Sequence, residues 1–320
     1  MIIAIVLVVA SLAVLIGGAE FLVRGSSSIA KKAGISPLVI GLTIVAFGTP
    51  APELIVNLFA AYTGAADLAI GNIIGSNIAN ILLILGIAAI IYPLSIKSST
   101  AWKEIPFALL GVILVFTMGN DILIDGSFNS AISRTDGISL IAIFIIFMFY
   151  IFGISKVKGE KGETENIKTY SWAISSLLTT GGLVLLFIGG KILVDNAMIL
   201  ARLAGLSEAL IGLTIVAVGT SLPELATSVV AAYHHHDDIA IGNIVGSNIL
   251  NIFWILGVTS TILQLPFNAR VNFDVLVSIL ATALLFIFLF VGTRKKLDRW
   301  QGIFFVILYL VYVAYLVWRS

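Results

Sequence analysis

The sequence predicts an all-α polytopic membrane protein with ten transmembrane helices, arranged as two inverted-topology five-helix repeats. Three observations lead to this fold class. Hydrophobic residues make up 59% of the 320 residues and charged residues only 11%, and the mean hydropathy of +1.12 is far above that of soluble domains. Ten apolar runs are long enough to cross a bilayer. One 53-residue segment is also present twice.

The apolar runs fall into two groups of five. The first group lies at about 1–23, 35–63, 68–92, 104–120 and 137–155, and the second at about 172–198, 206–232, 238–264, 272–293 and 300–318. A hydrophilic stretch separates the groups, so we predict a first repeat at 1–155, a linker at 156–171 and a second repeat at 172–320. No basic residue precedes the first run, which predicts a retained span and not a cleaved signal peptide.

The duplicated segment covers residues 34–86 and 205–257, at an offset of 171 residues and without a gap. By direct comparison, 32 of its 53 positions are identical. Because each repeat has an odd number of spans, the second repeat must enter the membrane in the opposite orientation to the first. Inverted repeats of this kind occur in many secondary transporters, where the two halves meet at a site near the bilayer midplane.

Charge and cysteine content restrict location and partners. Thirteen Lys and Arg residues are predicted on one side of the membrane and four on the other, so the linker should be cytoplasmic and both termini outside, in the cytoplasmic membrane. A net charge of +1 without a basic patch gives no reason to expect nucleic-acid binding. The absence of cysteine excludes disulfides and thiolate metal sites.

Each copy of the segment places one glutamate inside a predicted span. Glu53 and Glu224 each directly follow a proline, near the middle of the second and seventh spans. An ionised carboxylate there costs about 2.5–3.5 kcal/mol on insertion scales unless it is paired or faces water. Neither span contains a Lys or Arg partner. The compensating charge should therefore come from a bound cation or from protons.

Neutral oxygen donors accompany both glutamates. The hydroxyl and amide donors are Thr49, Thr220, Ser76, Ser247, Asn80 and Asn251. The prolines should also break the helices and free backbone carbonyls one turn earlier, near Ala46 and Ala217. Calcium accepts six to eight oxygen ligands in tolerant geometry, so these residues form a candidate site for a hard cation.

Other interpretations apply to the same residues. Glycine and proline in membrane helices commonly serve packing and kinks, and single Ser or Thr residues commonly bond to their own helix. The glutamates could be protonated structural carboxyls. His234, His235, His236, Asp237 and Asp238 resemble a transition-metal site, but a solvated loop is the favoured interpretation because the first copy has no histidine there.

The two motifs together resemble a known family. The Gly-Thr-[Ser/Pro]-x-Pro-Glu motif begins at Gly48 and Gly219, and the Gly-Asn-x-x-Gly-Ser-Asn-x-x-Asn motif begins at Gly71 and Gly242. Both resemble the alpha repeats of the cation/calcium antiporter superfamily, in particular its prokaryotic sodium/calcium exchangers. The resemblance extends over essentially the whole chain and implies a transporter, not an enzyme, with Ca2+ and Na+ as transported ions and no cofactor.

The resemblance also implies ligands. The central calcium site corresponds to the carboxylates of Glu53 and Glu224 and the backbone oxygens of Thr49 and Thr220. The flanking sodium sites correspond to the Ala46 carbonyl, Thr49 and Ser76 on one side, and to the Ala217 carbonyl, Thr220 and Ser247 on the other. Asn80 and Asn251 would border the middle site. The first and sixth spans correspond to the gates of the family.

Two residues depart from the family pattern. Pro50 stands where the motif usually has a serine, which the second copy retains as Ser221. Asn251 stands where some relatives have aspartate. The first change removes a hydroxyl, so the two halves of the site are not equivalent. The second removes a possible charge from the middle site.

We therefore expect an antiporter that exchanges sodium for calcium by alternating access, working as a monomer in a lipid bilayer. Proton/calcium exchange is the nearest alternative, because two protons would also neutralise the glutamates. Thr49 and Thr220 favour sodium, since the resembled proton-coupled branch tends to have asparagine there. A cation channel and a membrane metalloenzyme built on the histidines are the remaining alternatives.

Overall fold

The computed structural model describes residues 1–155, 168–205 and 217–319. Most of these residues are helical, and the described helices are α1 (Ile2–Ala33), α2 (Pro37–Gly48), α3 (Ala51–Tyr62), α4 (Ala66–Ile91), α5 (Thr100–Met118), α6 (Asp121–Asp125), α7 (Arg134–Ser155), α8 (Trp172–Leu203), α9 (Ala217–Gly219), α10 (Leu222–Tyr233), α11 (Asp237–Ile262), α12 (Ala269–Phe288) and α13 (Arg299–Arg319). The chain is thus an all-α polytopic membrane protein.

Eight of the described helices are long and apolar enough to cross a membrane. The pair α2 and α3 adds a ninth candidate, bent by 41° at its break. The predicted seventh span begins at residue 206, and residues 206–216 lie outside the described residues, as does most of the predicted linker. The predicted count of ten therefore stays a prediction.

The first and sixth predicted spans were too short. Helix α1 continues to Ala33, beyond the predicted end near residue 23, and α8 continues to Leu203. Hydropathy marks the part of a helix that lies in hydrocarbon, whereas charged side chains such as Arg24 extend a helix into the polar headgroup region. At the end of α1, Gly34 adopts φ 67° and its N–H bonds to the last-turn carbonyls, a conformation that glycine takes without strain.

Helix boundaries recur at the same offset as the sequence. The helices α3, α4 and the single turn before α3 have counterparts in α10, α11 and α9, each 171 residues later. Within α4 and α11, wider π-helical turns occur at Ala79–Leu85 and Leu250–Leu256, again 171 residues apart. The same local sequence therefore produces the same local backbone in both halves.

Helices α4 and α11 form the centre of the molecule. In their most apolar windows, 78% and 94% of the residues are buried, against 28% for α1 and α8. Large apolar side chains such as Phe59 and Phe149 point outward from the peripheral helices, as expected of a lipid-facing surface. The candidate site thus lies in an interior that the other helices enclose.

Two short strand pairs join loops of the two halves. Strand β1 (Leu94–Ser95) pairs antiparallel with β4 (Lys296–Leu297), and β2 (Ala131–Ile132) pairs antiparallel with β3 (Leu265–Pro266). No strand was predicted, because two-residue segments leave no periodic pattern in a sequence. Residues 94–95 and 265–266 are again 171 positions apart, so one type of contact occurs twice.

Candidate cation-binding site

Both glutamates lie at the start of a helix that follows a break. Glu53 is in the first turn of α3 and Glu224 in the first turn of α10, and the side chains are 0% exposed. The free N–H groups of a helix start favour a carboxylate in the first turn. The breaks that the prolines predicted are therefore present, and each positions one carboxylate in the interior.

The breaks also alter the backbone carbonyls upstream. Pro50 has no N–H, so the Ala46 carbonyl does not receive a hydrogen bond from the residue four positions later. In the second half, the Ser221 N–H donates to the Val218 carbonyl at 3.1 Å and not to Ala217. The Ala46 and Ala217 carbonyls therefore lose the helical bond from residues 50 and 221, as the sequence predicted.

Hydroxyl groups from both halves meet Glu53. The Ser221 hydroxyl donates to Glu53 Oε1 at 3.4 Å, and the Ser76 hydroxyl approaches the same oxygen at 3.5 Å. These two hydroxyls also lie 3.2 Å from each other. Thr220 lies near Glu53 as well. The second motif of the first half thus contacts its own glutamate, and the second half contributes Ser221.

The surroundings of Glu224 differ. The Thr49 hydroxyl lies near this glutamate and donates to Asn243 Oδ1 at 2.9 Å. Asn243 in turn donates to the Ser228 hydroxyl at 3.0 Å. Pro50 occupies the position equivalent to Ser221 and cannot supply a hydroxyl. Consequently neither oxygen of Glu224 has a hydrogen-bond partner among the described residues.

Four asparagines connect the central helices α4 and α11 reciprocally. Asn77 Nδ2 donates to the Asn248 carbonyl at 3.2 Å, and Asn248 Nδ2 donates to the Asn77 carbonyl at 3.3 Å. Asn80 Nδ2 donates to Asn248 Oδ1, and Asn251 Nδ2 to Asn77 Oδ1, both at 2.9 Å. Each bond maps onto the other of its pair at the 171-residue offset. The amide nitrogens are therefore used in holding the halves together.

This arrangement leaves oxygens aimed inward. Within the described part of the chain, the buried side-chain oxygens without a hydrogen-bond partner include Glu53 Oε2, Glu224 Oε1, Glu224 Oε2, Asn80 Oδ1, Asn251 Oδ1, Ser247 Oγ and Thr220 Oγ1. Leaving a buried polar group unpaired costs about 1–3 kcal/mol, and more for a charge. Oxygens of this kind are the ligands that a hard cation accepts.

The electrostatics agree with a cation. The two carboxylates are close enough to repel each other. None of the ion pairs described for residues 1–155, 168–205 and 217–319 involves Glu53 or Glu224. In the same residues no three His, Asp or Glu side chains gather as a metal site. The predicted transition-metal alternative at the histidines thus gains no support, and the donors near the glutamates suit a hard ion.

The structure brings four of the eleven predicted site residues into one hydrogen-bonded group. Glu53, Ser76, Ser221 and Asn251 are linked directly by hydrogen bonds. Asn77, Asn248 and Asn243 were not predicted as site residues, although all three lie in the duplicated motif. Their recurrence at the same offset was the available signal, but only the three-dimensional pairing shows which amides face one another.

Residues 3–153 and 174–318 match the family described as sodium/calcium exchanger protein. The chain belongs to this family. It is therefore a transporter and not an enzyme, a cation/calcium antiporter of the prokaryotic type, and the ions are cargo and not cofactors. The predicted family assignment is confirmed.

Relatives span the full length of the chain. The putative antiporter CaxA of Alkalimonas amylolytica is 38% identical over 325 residues, which cover 100% of both proteins. The inner membrane protein YrbG of Escherichia coli strain K12 is 33% identical, with 100% of this chain and 98% of the relative covered. The sodium/calcium exchanger MaX1 of Methanosarcina acetivorans is 32% identical, with 95% and 94% covered.

Solved structures give the same result for the fold. The sodium-calcium exchanger NCX_Mj, soaked with 10 mM Na+ and zero Ca2+, superimposes with a TM-score of 0.83 at 34% identity. The match covers 98% of this chain and 98% of that chain. The helix arrangement described above is thus that of a multi-pass membrane exchanger.

Proposed function

We propose that this protein exchanges sodium for calcium across the cytoplasmic membrane, by alternating access at the site that contains Glu53 and Glu224. The observation that carries the proposal is the pair of fully buried carboxylates, which retain unpartnered oxygens and take part in none of the ion pairs of the described residues. The relatives named as sodium/calcium exchangers support sodium as the coupling ion.

Charge balance explains why the site would exchange ions instead of leaking them. Two ionised carboxylates carry a charge of −2, which one Ca2+ neutralises. Several Na+ ions could occupy overlapping oxygens in its place. Moving the site with its charge uncompensated through a low-dielectric barrier would be costly. Each conformational change would therefore carry ions of one kind or the other.

We propose ligand roles from this geometry. Glu53 and Glu224 would bind Ca2+ in the middle, with the backbone oxygens of Thr49 and Thr220. Two flanking Na+ positions would use the Ala46 carbonyl with Ser76 and the Ala217 carbonyl with Ser247. The oxygens of Asn80 and Asn251 border the middle position because their amide nitrogens are bonded across the halves.

We propose the inverted ten-helix architecture on the same grounds, with repeats at 1–155 and 172–320 and a cytoplasmic linker at 156–171. The recurring helix boundaries, the two strand pairs and the reciprocal asparagine bonds support it. The Lys/Arg distribution supports termini outside the cell. One chain contains both glutamates, so a monomer in the lipid bilayer would suffice for transport.

The test is calcium uptake into sodium-loaded proteoliposomes at clamped pH, with and without an outward sodium gradient. The parent would be compared with Glu53→Gln and Glu224→Gln. The control is Glu104→Gln, since Glu104 is also 0% exposed but lies outside the site, where it accepts a hydrogen bond from Tyr150. We expect uptake that requires internal sodium, is lost in both site variants and persists in the control.

Other outcomes would identify the alternatives. Uptake driven by a proton gradient and indifferent to sodium would indicate proton/calcium exchange. Uptake that needs no counter-ion gradient would indicate a channel. Retained exchange in either site variant would exclude that carboxylate from the transport site.

A further inference from the structure

The histidine segment links two parts of the protein at one face. We call residues 234–238 the histidine loop. His234 Nε2 lies 2.7 Å from Glu20 Oε2 of helix α1, and this glutamate also pairs with Arg24. The His235 ring packs against Tyr92 at an interplanar angle of 60°, with centroids 4.0 Å apart. The loop therefore contacts α1 on one side and the end of α4 on the other.

Two acidic residues anchor the loop to the core. Asp237 Oδ2 accepts the Ser95 N–H at 2.9 Å, and Asp238 forms an ion pair with Lys97 at 2.8 Å. Since Ser95 belongs to the β1–β4 strand pair, the loop is held to the face where these strands lie. The histidine side of the loop reaches the peripheral helix α1 through His234 and Glu20.

The repeat provides a built-in comparison. The counterpart of the Asp238–Lys97 pair at the 171-residue offset is a bond from Asn268 to Asp67, which is present at 3.4 Å. The counterparts of His234 and Glu20 are Thr63 and Lys191. Thr63 bonds to its own helix, and Lys191 pairs with Asp195 four residues later. Among the described residues, the link to a peripheral helix is therefore made by the histidine and not by its counterpart.

Helix α1 is suited to move relative to the core. It packs against α8 through glycines, and a Cβ on Gly18 would lie 2.9 Å from Leu185 Cβ while one on Gly25 would lie 2.6 Å from the Thr179 N. The two helices thus form a tightly packed pair, and only 28% of each one's most apolar window is buried. A rigid pair on the periphery can shift along the core as a unit.

We propose that the histidine loop is a proton-sensitive latch that holds α1 closed against the core at the face predicted to be cytoplasmic. The proposal rests on the proposed exchange cycle, in which this face must open to release or accept ions. Closing α1 places His234 against Glu20, and opening that face separates them. The latch therefore favours the conformation closed to the cytoplasm.

The charge on His234 sets the strength of the latch. Histidine side chains change charge between about pH 5 and 8, and a protonated ring forms an ion pair with the Glu20 carboxylate, whereas a neutral ring forms only a hydrogen bond. Acid on this face thus tightens the latch and alkali loosens it. The charged or titratable groups that face His234 are Glu20, Arg24, Lys168, Tyr170, Tyr92, Tyr233, His235, His236 and Arg299. Burial keeps the pKa of His236 below its usual value.

The first experiment measures sodium/calcium exchange in oriented proteoliposomes while the pH is changed from 8 to 6 on the histidine face only. We expect the parent rate to fall about fivefold, the size of one partly buried ion pair. His234→Gln and Glu20→Gln should lose this dependence, and Lys191→Gln, the counterpart substitution, should keep it. An unchanged pH dependence in His234→Gln would overturn the proposal.

The second experiment reads the conformation without transport. The chain contains no cysteine, so Ser27→Cys provides a single reporter. Ser27 is 1% exposed and lines the cavity of about 340 Å3 between α1 and the histidine loop. Because the thiolate is the reacting form and its fraction rises with pH for any cysteine, each labelling rate with a membrane-impermeant maleimide is divided by the rate of the same reporter with His234→Gln added, at the same pH. This ratio should be about fivefold lower at pH 6 than at pH 8.

The two measurements separate failure of the latch from failure of the proposed exchange. An equal ratio of labelling rates at both pH values would overturn the latch whatever ions the protein carries. A ratio that falls at pH 6 without sodium/calcium exchange would retain the latch and overturn the coupling.

Discussion

The unequal surroundings of the two glutamates predict unequal effects of neutralising them. In protein freed of Na+ and Ca2+, Glu224→Gln leaves Glu53 as the remaining carboxylate, with hydroxyls of Ser76 and Ser221 at 3.5 and 3.4 Å. Glu53→Gln instead leaves Glu224, whose oxygens have no described partner. Glu224→Gln should therefore be the more stable variant, because the carboxylate that it retains, Glu53, has two hydroxyl contacts.

The size of the difference follows from the two contacts. Both distances are at the long limit for hydroxyl donors, so each contact contributes about 0.5 kcal/mol. The difference of about 1 kcal/mol corresponds to about 2 °C in Tm for a chain of this length. Ca2+ at a hundred times its Kd should stabilise the parent by about 2.7 kcal/mol, which raises its Tm by about 5 °C. Ca2+ should stabilise both variants less.

The assay is thermal unfolding of purified protein in detergent, in sodium-free buffer with chelator and then with Ca2+. Adding Ser221→Ala to Glu224→Gln should remove about half of the advantage, while adding it to Glu53→Gln should have no such effect. Equal or greater stability of Glu53→Gln in cation-free buffer would refute the reasoning that hydroxyl contacts distinguish the two carboxylates.

Three further predictions use the same structure. Gly182→Ala should destabilise the α1–α8 pair by about 1–3 kcal/mol, because its Cβ would lie 2.5 Å from the Leu22 N. The control is the neighbouring Gly181→Ala, whose Cβ would have no described atom within 4 Å. Thermal unfolding of both variants measures the difference. Asn251→Asp should strengthen Ca2+ binding about tenfold, because the charge added at the middle position outweighs the lost Nδ2 donations to Asn77 and Ser76, and calorimetric titration that shows no gain would contradict it. Pro50→Ser should restore a hydroxyl beside Glu224 and raise the apparent affinity for Na+ about threefold, and the sodium dependence of calcium uptake measures it.

Local chemistry made much of this structure predictable. The prolines before Glu53 and Glu224 predicted helix breaks, and both breaks are present because the loss of an N–H acts within one turn. The apolar runs predicted a polytopic helical protein, which is confirmed. The predicted end of the first span does not coincide with the end of α1. Hydropathy does not distinguish a helix that continues beyond the bilayer from a loop.

Contacts between distant residues were much less predictable. Asn77 and Asn248 lie in the predicted motif, yet nothing in their spacing indicates that they bond to each other. The link between His234 and Glu20 spans 214 positions, and the repeat offered no guide to it because Thr63 and Lys191 do not form it. Symmetric contacts can be suggested by a duplicated sequence, whereas contacts that break the symmetry need the structure.

The reciprocal asparagine bonds have a consequence for the origin of such a chain. Because Asn77 gives to Asn248 the same bond that it receives, a single ancestral half could have formed this contact with a second copy of itself inserted in the opposite direction. Such a pair would be identical on its two faces and could not tell inside from outside. In a single chain the two copies need not be identical, and Pro50 opposite Ser221 and Thr63 opposite His234 are differences that two identical halves could not have. Because its two halves differ, this chain can present different contacts on its two membrane faces.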